Sequence, residues 1–236
     1  MKAVIVAAGY GSRLRPHTDK LPKGLIEVGG EPLLERAVSL LEHAGLSPII
    51  LVVGYRHEQF RQYFGDRVIY EANPFFKESN NMASLWFARH HIYGESFCYL
   101  HSDLLYHDEI IKNTVAQPIT GGRLLVDFDT VDEEAMKVTI DEKSNLISSN
   151  KSIPLDEAAG EWTGLAAFDG QTGKVLLDEI ERLLLEGALK DYDTLAFTNM
   201  ATAGHKLHCL PTGGKPWIEI DFPQDLQRAQ EIAKEL

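Results

Sequence analysis

The first hundred residues carry an alternation that leaves few folds open. Short runs rich in Val and Ile, at Lys2 to Ala8, Pro48 to Val53, Val68 to Glu71 and Ser96 to His101, are separated by stretches of helical period. Continuous apolar runs mark strands buried on both faces, and the helices between them act as crossovers that keep the strands parallel. Pro32 to His43 sets Leu33, Leu34, Ala37, Leu40 and Leu41 on one helical face, and Gly45 stops it. Glu58 to Phe64 and Asn80 to His91 read as the next two helices. The order βαβαβαβ predicts an open sheet flanked by helices, which receives ligands beyond the carboxyl ends of its strands.

From about Gly122 the rhythm changes. Arg123 to Phe128, Lys137 to Asp141, Leu146 to Ser149 and Thr163 to Phe168 read as strands joined by short turns, so this half is expected to extend the sheet with antiparallel strands. Gln171 to Glu186, Asp193 to Ala203 and Pro223 to Lys234 are predicted helices, with short strands at Lys206 to Leu210 and Trp217 to Glu219. The chain of 236 residues is long enough to bury roughly 70% of its surface. With no linker-like tract, it is expected to form a single mixed α/β domain over residues 1–236, with halves of about 1–115 and 116–236.

Composition narrows the function classes. Hydrophobic residues at 44% and charged residues at 25% exclude a disordered, collagen-like or coiled-coil chain. A net charge of −12 opposes binding to a nucleic-acid backbone, so a phosphate ligand must meet a local basic pocket. Cys98 and Cys209 suit neither a disulfide framework nor a cysteine zinc site. The apolar run Ala3 to Ala8 is too short for a signal peptide or a membrane span. The expectation is a soluble cytoplasmic monomer or homodimer.

The first strand runs into Ala7-Ala8-Gly9-Tyr10-Gly11-Ser12-Arg13-Leu14-Arg15-Pro16. Small residues at a strand's carboxyl end let backbone N–H groups approach phosphates or a base edge. The segment lacks GxxxxGK[ST], and Leu14 stands where a dinucleotide fingerprint needs its third glycine. It does place Arg13 and, beyond Thr18 and Pro22, Lys23 on a stiffened loop, two cations able to draw charge off a triphosphate. Asp103 and Asp221 each follow an apolar strand, and two carboxylates converging on a triphosphate supply the hard oxygen ligands that Mg²⁺ needs.

The order Gly9-x-Gly11-Ser12-Arg13-Leu14-x-Pro16-x-Thr18-x-x-x-Pro22-Lys23 resembles the signature of the sugar-phosphate and phosphocholine nucleotidyltransferases. The resemblance continues through Asn73-Pro74, Asn80-Asn81-x-x-Ser84-Leu85-Trp86, Ser102-Asp103, Met136-Lys137-Val138, Lys151, Gly160-Glu161-Trp162-x-Gly164 and Trp217-x-Glu219-Ile220-Asp221-x-x-x-Asp225. These stretches look most like the phosphocholine cytidylyltransferase-like branch. The resemblance implies a Rossmann-like, mostly parallel sheet of the GT-A-like nucleotidyltransferase type, with antiparallel additions. It implies that Ala7, Ala8, Gly9, Gly11 and Ser12 line the base, ribose and phosphates of CTP, with Asn73, Asn80 and Ser84 on the same nucleotide. Arg13 and Lys23 become the catalytic cations, Asp103 and Asp221 the Mg²⁺ ligands, and residues 1–115 the nucleotide-binding half.

The second half then takes a small phosphorylated acceptor: phosphocholine, phosphoethanolamine, a phospho-amino acid or a polyol phosphate. Lys137 and Lys151 resemble positions that contact the acceptor's phosphate. Trp162 and Tyr192, beside Glu161, Asp191 and Asp193, are preferred as walls for an organic cation over Phe75, Phe76, Trp86, Phe87 and Trp217. Ala135 and Met136 stand where some choline-specific members carry an aromatic residue. The expected product is a CDP-linked compound for cell-surface decoration. The alternatives are a sugar-1-phosphate uridylyl- or thymidylyltransferase, or a catalytically silent regulatory subunit on the same fold. His90-His91, His101 with Asp103, and His205 with His208 show no third ligand at zinc spacing, and adjacent helical residues point apart, so no structural zinc is expected.

Overall fold

The computed structural model describes residues 1–236. Its first half contains β1 (Lys2–Ala7), the small hairpin β2 (Glu27–Val28) and β3 (Glu31–Pro32), α1 (Leu33–His43), β4 (Ile49–Val53), α2 (His57–Phe64) and β5 (Ile69–Ala72). There follow α3 (Asn81–Phe87), α4 (Arg89–Ile92), β6 (Phe97–His101), β7 (Leu104–Tyr106) and α5 (Asp108–Thr114). The second half contains β8 (Gly122–Asp127), β9 (Lys137–Ile140), β10 (Leu146–Ser149), β11 (Gly160–Phe168), α6 (Gly170–Leu185) and α7 (Asp193–Thr202). The chain closes with β12 (Leu207–Pro211), β13 (Trp217–Glu219) and α8 (Pro223–Ile232).

The mixed α/β sheet expected from the alternation is present. Its path runs β10-β9-β11-β6-β1-β4-β5, with β8 beside β11 and β12 beside β8. β6, β1, β4 and β5 are mutually parallel, while β11 lies antiparallel to β6, β8 and β9. β12, reached from β11 through α6 and α7, runs parallel to β8, within the half expected to add antiparallel strands.

β1 shows why this sequence makes a three-layered molecule. Successive side chains of a strand point to opposite faces. Val4 and Val6 therefore enter one core with Met82, Leu85, Ile180 and Phe197, while Ala3, Ile5 and Ala7 enter the other with Leu34, Val38, Phe60 and Ile110. Val4 and Ile5 are fully buried, each contributing about 1.5–3 kcal/mol. A third, smaller cluster joins Leu14, Leu33, Leu105, Ile218 and Ala229, and fastens the C-terminal helix beneath the glycine loop. No helix is long and apolar enough to cross a membrane.

Four features depart from the sequence reading. The expected helix Asn80 to His91 is two pieces, because the first ends at Ala88, whose N–H bonds back to Leu85. The β2–β3 hairpin, β7 and α5 were not expected. β2, β3 and β7 are too short to show a period, and α5 is only seven residues long.

Candidate active site

The glycine loop owes its shape to local sterics. Gly11 has φ +60°, and a Cβ there would stand 3.0 Å from Thr18 Cγ2 and 3.1 Å from Lys23 Cβ. Left-handed backbone and close neighbours together leave room for glycine alone. Buried Thr18 donates its hydroxyl to the Gly11 carbonyl at 2.8 Å, and Tyr55 N–H donates to the Ala8 carbonyl at 2.9 Å. The Tyr10 ring rests on Tyr55 and Phe76. A single helical turn, Ser12 to Leu14, then carries Arg13 over the loop.

The carboxylates arrive from two other directions. β6 lies parallel beside β1 with His101 opposite Val6, so Ser102 and Asp103 leave the sheet next to the loop. β7 and β13 form a separate ladder that pairs Leu104 with Glu219, and the Ile220 N–H donates to the Asp103 carbonyl at 2.9 Å. This ladder brings Asp221 beside Asp103. Asp225 fixes the turn by accepting from the N–H groups of Asp221 and Phe222 at 3.1 and 2.8 Å. Lys23 Nζ donates to Asp103 Oδ2 at 2.7 Å and Asp221 Oδ1 at 2.6 Å, and Arg13 Nη2 lies 2.6 Å from Asp221 Oδ2. The Arg13 guanidinium also covers the Phe222 ring.

Charge is balanced tightly here. Burial alone would push the Lys23 ammonium down, but Asp103, Asp221 and Glu219 outweigh it and hold Lys23 above its ordinary value. Burial likewise opposes ionisation of Asp103, yet Lys23 and His101 keep its carboxyl below the usual carboxylate range. Glu219 is pushed up to about 7 by burial, helped by the charges of Asp103 and Asp221. His101 is raised to about 9, because a hydrogen bond and charge from Asp193 overcome its burial. The donor atoms of His101, Asp103 and Glu219 lie within 4.8 Å of one another, and Asp103 Oδ1 is buried without a partner. An orphaned carboxylate oxygen amid further carboxylates fits a hard divalent cation.

The facing wall comes from the second half. The Asn80 N–H donates to the Leu189 carbonyl at 2.9 Å, and Asn81 Oδ1 accepts from the Asp193 N–H at 3.1 Å, tying the start of α3 to the start of α7. Tyr192 is thereby held at the rim, 42% exposed. On β11 the register shifts between Trp162 and Ala166, around Gly164 at φ +82°. A Cβ on Gly164 would meet His101 Nδ1 at 3.0 Å. Trp162 stands edge-on to His101 and Phe197, buried except for the edge that faces the cleft, and its Nε1 has no partner.

Ala7, Ala8, Gly9, Gly11, Ser12, Arg13, Lys23, Asn80, Ser84, Asp103, Lys151, Trp162, Tyr192 and Asp221 all line one cleft of about 300 Å³. Four of the residues singled out in the sequence stand behind it. Asn73 is buried and donates to the hydroxyls of Ser79 and Ser84, so it shapes the wall without facing the cavity. Lys137 is 1% exposed, and its Nζ donates to the carbonyls of Glu133 and Lys151, which fixes the backbone of Lys151. Asp193 is fully buried, accepting from the Tyr99 hydroxyl at 2.6 Å and lying 3.1 Å from His101 Nε2. Glu161 sits beside the cleft, pushed up to about 8 by burial and then by Glu219, Asp132 and Asp127.

Among the aromatic residues, Phe76 lines the cleft, whereas Trp86 lies under the Arg89 guanidinium and Trp217 bonds Asp127 through its Nε1. Sequence reasoning gave no role to His101, Ser102, Glu134 or Glu219, all of which line the cleft. Spacing held a signal for two of them. His101 lies two before Asp103 and Glu219 two before Asp221, and on extended chain such residues share a side.

Comparison with known proteins agrees with this geometry. Choline-phosphate cytidylyltransferase of Streptococcus pneumoniae is 27% identical over 99% of this chain and 99% of its own length. The bifunctional IPC transferase and DIPP synthase of Aquifex aeolicus is 30% identical over 97% of this chain, which spans only 51% of that relative. The solved inositol-1-phosphate CTP transferase from T. maritima shares the fold with a TM-score of 0.83 at 24% identity, covering 99% of this chain and 95% of its own. The MobA-like NTP transferase domain matches residues 3–126, the stretch that holds the glycine loop, Lys23 and Asp103. With more than half its length inside that match and its cations and carboxylates gathered at the loop, the chain is a nucleotidyltransferase of the MobA-like NTP transferase family.

Proposed function

We propose that this enzyme is a divalent-metal-dependent cytidylyltransferase that condenses CTP with a small phosphorylated amine, releasing pyrophosphate. The observation that carries the reading is Lys23, nearly enclosed and held between Asp103 and Asp221 at the foot of the glycine loop. An ammonium so placed stands where charge on a triphosphate would develop. Choline-phosphate cytidylyltransferase, similar along the whole chain, supports cytosine as the base and a phosphorylated amine as the acceptor.

Residues 1–115 supply the nucleotide side and residues 116–236 most of the acceptor side. Backbone N–H groups of Ala8 to Ser12 receive the base and ribose, while Arg13 and Lys23 receive the triphosphate. Asp103, Asp221 and Glu219 would hold Mg²⁺, which neutralises phosphate charge when bound. The acceptor phosphate, largely dianionic at neutral pH, needs no protein base. One of its oxygens forms a bond to the α-phosphorus of CTP as the bond from that phosphorus to the bridging oxygen breaks, and pyrophosphate leaves with both electrons of that bond. Catalysis is then positioning plus neutralisation of charge by Arg13 and Lys23.

Lys151 and Glu134 line the same wall with their charged ends 3.9 Å apart, beside exposed Tyr192. This pairing of signs suits a zwitterion, its phosphate towards Lys151 and its ammonium towards Glu134 and the Tyr192 ring.

A panel of CTP, UTP, dTTP and ATP against phosphocholine, phosphoethanolamine, inositol phosphate and glucose 1-phosphate tests the reading by pyrophosphate release. The expected result is CTP with a phosphorylated amine. Preference for UTP or dTTP with glucose 1-phosphate would replace it with a sugar-nucleotide synthase, and no release with any pair would make the chain a silent nucleotide sensor.

A further inference from the structure

Away from the cleft, the edge of the sheet carries a cluster that the nucleotidyl-transfer reading does not use. β5 is the last strand of the sheet, and Glu71 lies on it opposite Val52 of β4. His90 and His91 lie on α4, a single turn behind the break at Ala88. Adjacent residues of a regular helix diverge, yet here both rings reach the same atom. His91 Nε2 lies 2.7 Å and His90 Nε2 3.1 Å from Glu71 Oε1, and the ring centroids are 4.0 Å apart. All three donor atoms fall within 4.8 Å of one another. The Lys2 ammonium donates to the His91 carbonyl at 2.7 Å, so it bonds the backbone of the turn and not the imidazole rings.

We propose that Glu71, His90 and His91 form a surface site for a divalent transition ion of the zinc class, with water in the fourth position. Zinc holds nitrogen and carboxylate oxygen at about 2.0–2.2 Å, which sets tetrahedral ligand-to-ligand edges of about 3.3 Å. The observed edges of 2.7 and 3.1 Å reach that value with shifts of about 0.6 Å or less. Two imidazoles and one carboxylate select zinc, nickel or copper over magnesium and calcium, which prefer oxygen alone. Entry is open, since the His90 side chain is 56% exposed. The Lys2 bond to the His91 carbonyl anchors the turn that presents both rings. A bound ion would clip the edge strand to the corner between α3 and α4, covering an edge that is otherwise open to another chain.

The test uses the full-length enzyme stripped by chelator and dialysed against Zn²⁺ alone. The His101, Asp103 and Glu219 cluster can also take zinc, so the readout is the difference between the wild type and a His90→Ala, His91→Ala double variant. The wild type is expected to retain one more equivalent of Zn²⁺ and to melt several degrees higher with Zn²⁺ than without, a gain the variant lacks and Mg²⁺ does not give. Glu71→Gln serves as a second variant with the same expected loss. Nucleotidyl transfer supported by Mg²⁺ stays unchanged in all three proteins. Equal zinc content in the wild type and the variants, or anomalous scattering from a zinc-soaked crystal only at the Asp103 cluster, would overturn the site.

Discussion

The glycine loop takes much of its backbone shape from contacts within residues 9–23, whereas Glu134, Lys151, Trp162 and Tyr192 reach their places through ties between segments far apart in sequence. In the glycine loop a positive φ at Gly11, a buried threonine and one helical turn set the backbone that carries Arg13, and Asp103 and Asp221 then fix the charged ends of Arg13 and Lys23. On the acceptor side Asn80 and Asn81 must hold Leu189 and Asp193, and Lys137 must hold Lys151, before any side chain faces the cleft. A locally specified loop can be kept while a stitched wall is rebuilt, which suits a family with one reaction and many acceptors.

The sharpest way to break this contrast is Asp193→Ala. It strips the buried His101 and the Tyr99 hydroxyl of their partner, so the expected loss of stability in a denaturant titration is about 3–5 kcal/mol. A loss below about 1 kcal/mol, the level of a surface pair, would show that the fold holds α7 against β6 without the Asp193 carboxylate. Lys23→Ala comes next, with turnover falling by roughly 10²–10³, about 3–4 kcal/mol, while the circular dichroism spectrum stays native. Near-normal turnover would leave the loop without its catalytic cation.

The same contrast decides what could be read before the structure. The parallel half was legible because Val- and Ile-rich runs and amphipathic helices declare themselves within a few residues, and the loop because glycines and cations sit close together in sequence. Glu219 went unassigned because its place depends on β7, three residues long and without a period, pairing with β13. Lys137 reads as an acceptor contact by resemblance and Asp193 by its place beside Tyr192, yet each is buried, Lys137 on two backbone carbonyls and Asp193 against Tyr99 and His101, partners that sequence spacing does not reveal. An ideal helix separates neighbours, so spacing gives His90 and His91 no common ligand, whereas a carboxylate from β5, distant in sequence, meets both rings.

Smaller effects sharpen the comparison further. Gly11→Ala places a side chain at positive φ against Thr18 and Lys23, and is expected to lower stability by about 1–2 kcal/mol or more and raise the KM for CTP. Gly94→Ala, at φ +77° with open space around the added carbon, is the control that carries the backbone strain without the contact. Equal losses in the two would mean that the loop does not need the close approach. Tyr192→Ala should raise the KM for the acceptor by roughly 2- to 30-fold, equivalent to about 0.5–2 kcal/mol, and leave that for CTP unchanged. A matching rise for CTP would erase the division between the two sides.

Glu161 adds an effect that shows itself only as the pH changes. Folding raises its carboxyl from 4.5 to about 8, so between those values the folded protein keeps a proton that the unfolded chain has released. The stability contributed by the neutral form is full below pH 4.5 and is lost as pH rises through 8. Glu161→Gln should therefore match the wild type at low pH and become progressively more stable than it towards pH 8. Parallel stability curves across that range would place the group in open solvent.

A crystal structure of the enzyme with CTP would show where the triphosphate lies relative to Lys23 and Asp103. The account requires the triphosphate on the glycine loop, with Lys23 Nζ and the Arg13 guanidinium at hydrogen-bond distance from phosphate oxygens and Asp103 beside the α-phosphate. A nucleotide bound elsewhere, or one whose phosphates turn away from Lys23, would contradict it.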